Sequence, residues 1–293
     1  MSDRSSPVGS PADLSGILAV QKLALPDLDG WEKSDAFTSD APVGDFAVSE
    51  ACGALVGRAR FAAGGNLDEL ALSAYRKLFA ASEGWEVARI WNVIPEVNRA
   101  VDGLENYRAF NVGRARACDE KFGESTEAHM PAATGIGGFG SFLHVSFVAV
   151  KTPLVRLENP WQVPAYRYPE KFGPRAPAFS RAIVTEIGGA KLGFVSGTAA
   201  VRGCESVGRT LAGECAATID NLRIMEDRLV SAGFSADMAR HVNVFIRRRE
   251  DATQVLDLLS RHWARPTDRV RIYSAEICRA ELSLEIEFTA VSA

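Results

Sequence analysis

At 293 residues and 47% hydrophobic content, the chain is long enough to bury one large core or two ordinary ones. A charged fraction of 24%, a net charge of −4 and the lack of a lysine–arginine stripe argue against nucleic acid as a partner. No apolar run reaches the length of a membrane span, and the opening MSDRSSPVGSPADLSG lacks the basic-then-apolar order of a secretory leader, so no membrane partner and a cytoplasmic location are expected.

The first 44 residues, rich in Ser, Pro and Gly at their start and soft again over Ser34 to Gly44, are expected to be mostly disordered. From Leu55 the pattern sharpens. LVGRARFAAG reads as a strand, and LDELALSAYRKLFAASEG places Leu70, Tyr75, Leu78 and Phe79 at helical spacing before Gly84. WEVARIWNVI then reads as a strand, LENYRAFNVGRARACDEKFG as a helix, and SFLHVSFVAVK alternates as a strand does. A proline-rich stretch over 153–182 follows, whose six prolines forbid a long helix while Trp161, Tyr166, Phe172 and Phe179 make it too aromatic for a plain linker. It reads either as a crossover packing one half on the other or as a substrate-contacting loop. Beyond it KLGFVSGTAAV is strand-like, a long amphipathic helix ends at Gly233, HVNVFIRR is a strand, ATQVLDLLSRHW a helix, and RVRIYSAEI and ELSLEIEFTAV are closing strands. Both halves, 45–152 and 153–293, thus run strand, helix, strand, helix, strand. FAAGG resembles FVSGT and RIWNVIPEVNR resembles HVNVFIRRRED at matching places, so an internally duplicated α+β unit is expected.

Few motifs carry chemistry by themselves. GIGGFG, Gly135 to Gly140, has dinucleotide-fingerprint spacing, but a strand rather than a helix follows it, so a glycine-rich turn feeding that strand or approaching a ligand is expected instead. The five cysteines, Cys52, Cys118, Cys204, Cys215 and Cys278, form no CxxC pair, and the four histidines show no ligand spacing. Reduced thiols and no metal are expected. Glu285 and Glu287 share one side of the pleat in ELSLEIEF: either both face solvent, or one faces a closed site where lost hydration raises its pKa and keeps it protonated as an acid. Arg247 and Arg279 close predicted strands, where a guanidinium either grips a carboxylate or lies on the surface. Cys278 reads as a nucleophile or as a small buried hydrophobe.

Longer stretches are more specific: WNVIPEVN (91–98), YRAFNVGRA (107–115), PAATGIG (131–137), ENPWQVPAYRYPEKFGPRAPAFSRA (158–182), FVSGTA (194–199) and EICRAELSLEIE (276–287). Together they resemble the chorismatase family from about Leu55 onward. The resemblance implies two Rid/YjgF-like, chorismate mutase-like halves, each a mixed sheet with helices packed on one face, and cleavage of the enol-pyruvyl ether of chorismate to pyruvate without a cofactor. It further implies Glu285 as the proton donor, Arg114, Arg181, Arg247 and Arg279 as carboxylate grips, and Gln162 and Tyr168 completing the pocket from the central loop. Cys278 resembles the cysteine of hydroxybenzoate-forming members, whereas Ala199 points to the hydrolytic subtype; the hydroxybenzoate outcome is favoured. Two positions depart from the family pattern: Trp161 stands where ENPRQ has arginine, and Cys204 where a histidine is usual, so an altered substrate preference is expected. The rival readings are a Rid-like enamine or imine deaminase, which should not need the aromatic loop, and a non-catalytic aromatic-acid binder. The expected partner is a small molecule, the expected assembly a monomer or small homo-oligomer.

Overall fold

The structure is a computed structural model that describes residues 32–33 and 41–292. The soft segment expected over 1–44 lies almost wholly outside the described residues. The chain order is β1 (Glu32–Lys33), β2 (Ala47–Ala51), β3 (Ala54–Ala62), α1 (Leu67–Ala81), β4 (Glu86–Pro95), β5 (Ala100–Val101), β6 (Leu104–Glu105), α2 (Asn106–Phe122), β7 (Ala132–Gly138) and β8 (Phe142–Val150). Then come β9 (Val155–Leu157), β10 (Ala182–Ile187), β11 (Ala190–Thr198), β12 (Val201–Arg202), β13 (Glu205–Ser206), α3 (Leu211–Ser231), β14 (Ala239–Ile246), α4 (Ala252–His262), β15 (Arg269–Ser274), β16 (Glu276–Ile277) and β17 (Leu284–Ser292).

Two mixed sheets form, ordered β16-β7-β4-β8-β3-β2 and β1-β15-β14-β17-β11-β10-β9. Without their outermost additions they read β7-β4-β8-β3-β2 and β15-β14-β17-β11-β10, the same permutation of the same chain order. In each five-strand core, one helix joins two parallel neighbours, α2 between β4 and β7 and α4 between β14 and β15, while the other contacts of that core run antiparallel. The duplicated α+β unit read from the sequence is therefore visible in the strand order itself.

Amphipathicity sets the layers. Along α1, Leu67, Ala71, Leu72, Tyr75, Leu78 and Phe79 recur at three and four residues and bury against β3, β4 and β8. Asp68 and Glu69 occupy the first turn, where the exposed backbone N–H groups favour negative charge. In the second half Thr210 caps α3 by accepting from the Gly213 N–H, and Ile219, Leu222, Met225 and Leu229 pack on the strands below. The opposite faces of the two sheets meet each other, with Val56, Trp91, Val93, Ile136 and Val148 of the first against Ile183, Leu192, Phe194, Tyr273 and Val291 of the second. The result is helix, sheet, sheet, helix, and a strand in the middle of either sheet is covered on both sides. Among the described residues no helix is long and apolar enough to cross a membrane.

Two features correct expectation. GIGGFG is no turn through most of its length: Gly135 to Gly138 continue β7, and the chain bends over Phe139, Gly140 and Ser141 before β8. Gly137 serves close approach, since a Cβ there would lie 2.6 Å from both Val97 Cγ1 and Glu276 Cβ. RVRIYSAEI is likewise not one strand. It breaks at Ala275, so that β15 stays in the second sheet while β16 crosses to pair with Ile136 and Gly137 of the first.

Candidate active site

The crossing at Ala275 opens the site. Along the outer edge of β7, β16 covers Ile136 and Gly137, and Ser180 from the proline-rich stretch bridges Ala132. Between these two seams Ala133 and Gly135 border a cavity of about 540 Å³, into which α2, β11, β17, the central loop and the turn after β16 all project. That volume lies within the ordinary range for small-molecule sites.

Glu285 lies at its floor. β17 runs between β11 and β14, so its alternate residues Leu284, Ile286 and Phe288 face the helices, and Glu285 and Glu287 face the layer between the sheets. Both carboxyl groups are buried, at 4% and 2% exposure, which rules out the solvent-facing alternative. They differ in their partners. Glu287 accepts from Trp91 Nε1 at 2.8 Å, from Asn243 Nδ2 at 2.8 Å, and from Arg89 and the Thr134 hydroxyl at short range, the donor set of a bound carboxylate. Glu285 has one weak neighbour, the Cys278 thiol at 3.8 Å. Loss of hydration, and then the negative Glu287 beside it, push its carboxyl up to about 8, against the smaller pull of Arg89, the Cys278 thiol and Arg181. At neutral pH it holds its proton.

Backbone shape makes room for that proton. β11 slips register against β17 between Val195 and Thr198, and Gly197 falls in the slip. A Cβ there would lie 1.9 Å from Glu285 Oε1, so only glycine leaves the carboxyl in place. The Gly197 N–H donates to Thr134 Oγ1 at 3.0 Å, tying the slip to the Glu287 cluster.

Three arginines line the same cavity as the acid. Arg181 is buried, donating through Nη2 to the Tyr168 hydroxyl at 2.8 Å and to the Val163 carbonyl, while its Nε has no partner. Arg114 donates to Asn111 Oδ1 at 2.6 Å and also keeps an unpartnered buried Nε. Arg279 is held by Ser206 Oγ and the Cys204 carbonyl, with its guanidinium 4.6 Å from the Phe172 ring. Buried guanidinium donors without acceptors are costly, and a bound carboxylate would satisfy them.

Of the residues singled out from the sequence, Glu285, Cys278, Arg114, Gln162, Tyr168, Arg181, Ala199 and Arg279 all line this cavity. Arg247 does not. Its guanidinium is spent on the carbonyls of Ile277, Arg279 and Leu282 and on Asn98 Oδ1, so it anchors the turn that carries Cys278 and Arg279. Cys278 is no activated nucleophile: burial and the adjacent Glu285 push its thiol up to about 12. Trp161 is 51% exposed, stacked 4.1 Å under Arg202, and Cys204 holds Arg279 through its carbonyl and meets Glu205 through its thiol at 3.7 Å, so neither departure is itself part of the lining. Phe172 and Phe179 of the aromatic stretch are on the lining; unforeseen were Tyr107, whose hydroxyl is pushed above the usual phenol range by burial and the nearby Cys278, together with Arg108 and Lys171 on the lining and the Arg89–Trp91–Thr134–Asn243 cradle. Asn111 and Arg114, polar groups one turn apart on the buried face of α2, are the kind of signal that reveals such a site.

A family model described as chorismatase FkbO/Hyg5-like, N-terminal, matches residues 29–149. A protein of Streptomyces hygroscopicus named 3-hydroxybenzoate synthase is 34% identical over 76% of this chain and 69% of its own length. One of Streptomyces rapamycinicus named chorismatase is 36% identical over 69% of this chain and 63% of its own length. A solved chorismatase structure superposes with a TM-score of 0.77 at 32% identity, covering 84% of this chain and 77% of that one. With sequence and architecture agreeing across both halves, the chain belongs to the chorismatase family.

Proposed function

We propose that this chain cleaves the enol-pyruvyl ether of chorismate, or of a close analogue, with Glu285 as the proton donor. Membership of the family makes it a chorismate-converting enzyme; the acid, the grips and the product are the substance of the proposal. The observation that carries it is a buried carboxyl, pushed up to about 8 by lost hydration, in a cavity lined by Arg114, Arg181 and Arg279. Chorismate has two carboxylates and an electron-rich enol methylene, so it needs fixed cations for the acids and a proton for the carbon.

In this reading Glu285 delivers its proton to the methylene, and the neighbouring ether carbon becomes an oxocarbenium centre. The dianionic substrate has by then exchanged hydration for guanidinium donors already in place, which limits the cost of burying its charge. If the ring C–O bond then breaks with loss of a ring proton, pyruvate and a hydroxybenzoate form without net water. If water adds to the oxocarbenium carbon, pyruvate and a dihydroxycyclohexadiene carboxylate result. Cys278 beside Glu285 favours the hydroxybenzoate outcome, and Ala199 on the same lining is the residue to vary first when testing it.

Purified protein incubated with chorismate and EDTA should release pyruvate, followed through a coupled dehydrogenase, together with a new aromatic absorbance. Glu285→Gln should still bind chorismate while turnover falls by about a hundredfold or more, the scale of a lost general acid. Undiminished turnover in that variant would refute the assignment, and saturable binding with no pyruvate from the wild type would leave a non-catalytic binder of aromatic acids.

A further inference from the structure

A second cavity, of about 400 Å³, lies on the far side of the first sheet, enclosed by α1, α2, the 3-10 stretch over 123–129 and the start of β4. Its body is apolar and largely aromatic, with Tyr75, Phe79, Trp85, Ile90, Phe122 and Val150 on its walls. Its charged lining is lopsided. Lys121 ends α2, Lys151 follows β8 with its ammonium 4.2 Å from the Trp85 ring, and among the described residues neither has a carboxylate partner. The one acidic side chain on the lining, Glu86, is taken by Arg156 at 2.6 Å. Uncommitted charge at this cavity is therefore positive, beside an apolar interior.

The two cavities share walls. Pro177 and Phe179 line the first, and Ala178 between them lines the second. Ala133 borders the first and Pro131 the second, while Arg114 and Cys118, one turn apart on α2, divide in the same way. Tyr75 reaches from the second cavity to Asn92 Oδ1 at 2.9 Å, and Asn92 donates to the carbonyl of Thr134, a member of the Glu287 cradle. A ligand that displaces the second lining has only packed side chains between it and the first.

We propose that this second cavity is a binding site for a small aromatic monocarboxylic acid, its ring between the aromatic walls and its carboxylate at Lys121 and Lys151, and that its occupancy is felt at Glu285. The regulatory part rests on the proposed function, because a hydroxybenzoate product belongs to the same chemical class as the ligand; the binding part does not. Lys121 and Lys151 are exposed, so reversing them leaves the fold intact.

Sodium benzoate serves as the probe, titrated calorimetrically into the full chain, the double variant Lys121→Glu/Lys151→Glu, and Arg181→Met, which weakens carboxylate binding in the first cavity. The expected result is a binding event that survives in Arg181→Met and weakens by about tenfold or more in the lysine variant, as loss of a charge-assisted contact requires. Benzoate should also lower kcat for pyruvate release in the wild type and not in the lysine variant. Binding abolished by Arg181→Met but unchanged in the lysine variant assigns benzoate to the first cavity and overturns the proposal, as does no binding at all. If chorismate is not turned over, the proposed function fails while the calorimetric comparison still decides this site.

Discussion

Glu285 and Glu287 have the same chemistry, stand two residues apart on one strand and are equally buried, yet their hydrogen-bond partners give them different work. Glu287 is surrounded by donors and Glu285 by almost none, and the negative Glu287 beside it helps push the Glu285 carboxyl up. Two consequences can be measured. Because catalysis in the proposed reading needs the protonated form, kcat should hold below about pH 8 and fall as pH rises through that value. Glu287→Gln removes the negative neighbour and leaves Arg89 unopposed, and both changes favour ionised Glu285, so the falling limb should move to lower pH. Circular dichroism checks that the variant folds, since losing one member of a buried ion pair costs about 3–5 kcal/mol. A limb that stays put in a folded Glu287→Gln protein would show that desolvation alone sets the proton.

At the level of elements, the slip in β11 and the turn after β16 deliver the acid and its companions to one place. Gly197→Ala should leave the strands paired yet push the Glu285 carboxyl aside, lowering pyruvate release by about a hundredfold with an unchanged circular dichroism spectrum. Arg247→Met tests the turn. Its loss frees the Ile277–Leu282 segment from several carbonyl contacts, so thermal stability and turnover should fall together, whereas Arg279→Met should reduce turnover with little change in melting temperature. This contrast also marks what was legible in the sequence. Helical spacing in α1 and α3 arises from one buried face, so periodicity reveals it, whereas β8 and β17, buried on both faces, read as strands from their apolar and β-branched runs; together they make the duplicated order legible. The split at Ala275 and the role of Arg247 depend on which sheet's edge is open, a long-range matter that no window of residues records. The same holds for Gly137 of GIGGFG, where close packing against Val97 and Glu276, rather than a bend, demands glycine. The cavity residues emerged mainly through the family resemblance. Residue patterns alone left Glu285 free to face either way, because alternation shows which side a residue shares but not what covers it.

Over the whole molecule, the duplicated sheets meet through an apolar layer, and the acid is placed where that layer ends at the cavity. Keeping a carboxyl in such a place carries a pH-dependent stability cost whose sign follows from proton linkage. In the unfolded chain Glu285 titrates near 4.5, in the folded protein near 8. Below about pH 4.5 both states are protonated and the group adds no slope. Between about 4.5 and 8 the native state retains a proton the unfolded chain has released, so stability falls as pH rises, by up to about 1.4 kcal/mol per unit; above about 8 the slope vanishes again. Glu285→Gln abolishes this dependence while every other ionisable group remains in both proteins. Calorimetric melting of the two proteins side by side should therefore show the variant gaining on the wild type from pH 5.5 to pH 8.5, by several kcal/mol in order of magnitude. A constant difference across that range would mean that Glu285 is ionised in the folded protein at neutral pH, and the proton it is meant to donate would have to come from elsewhere.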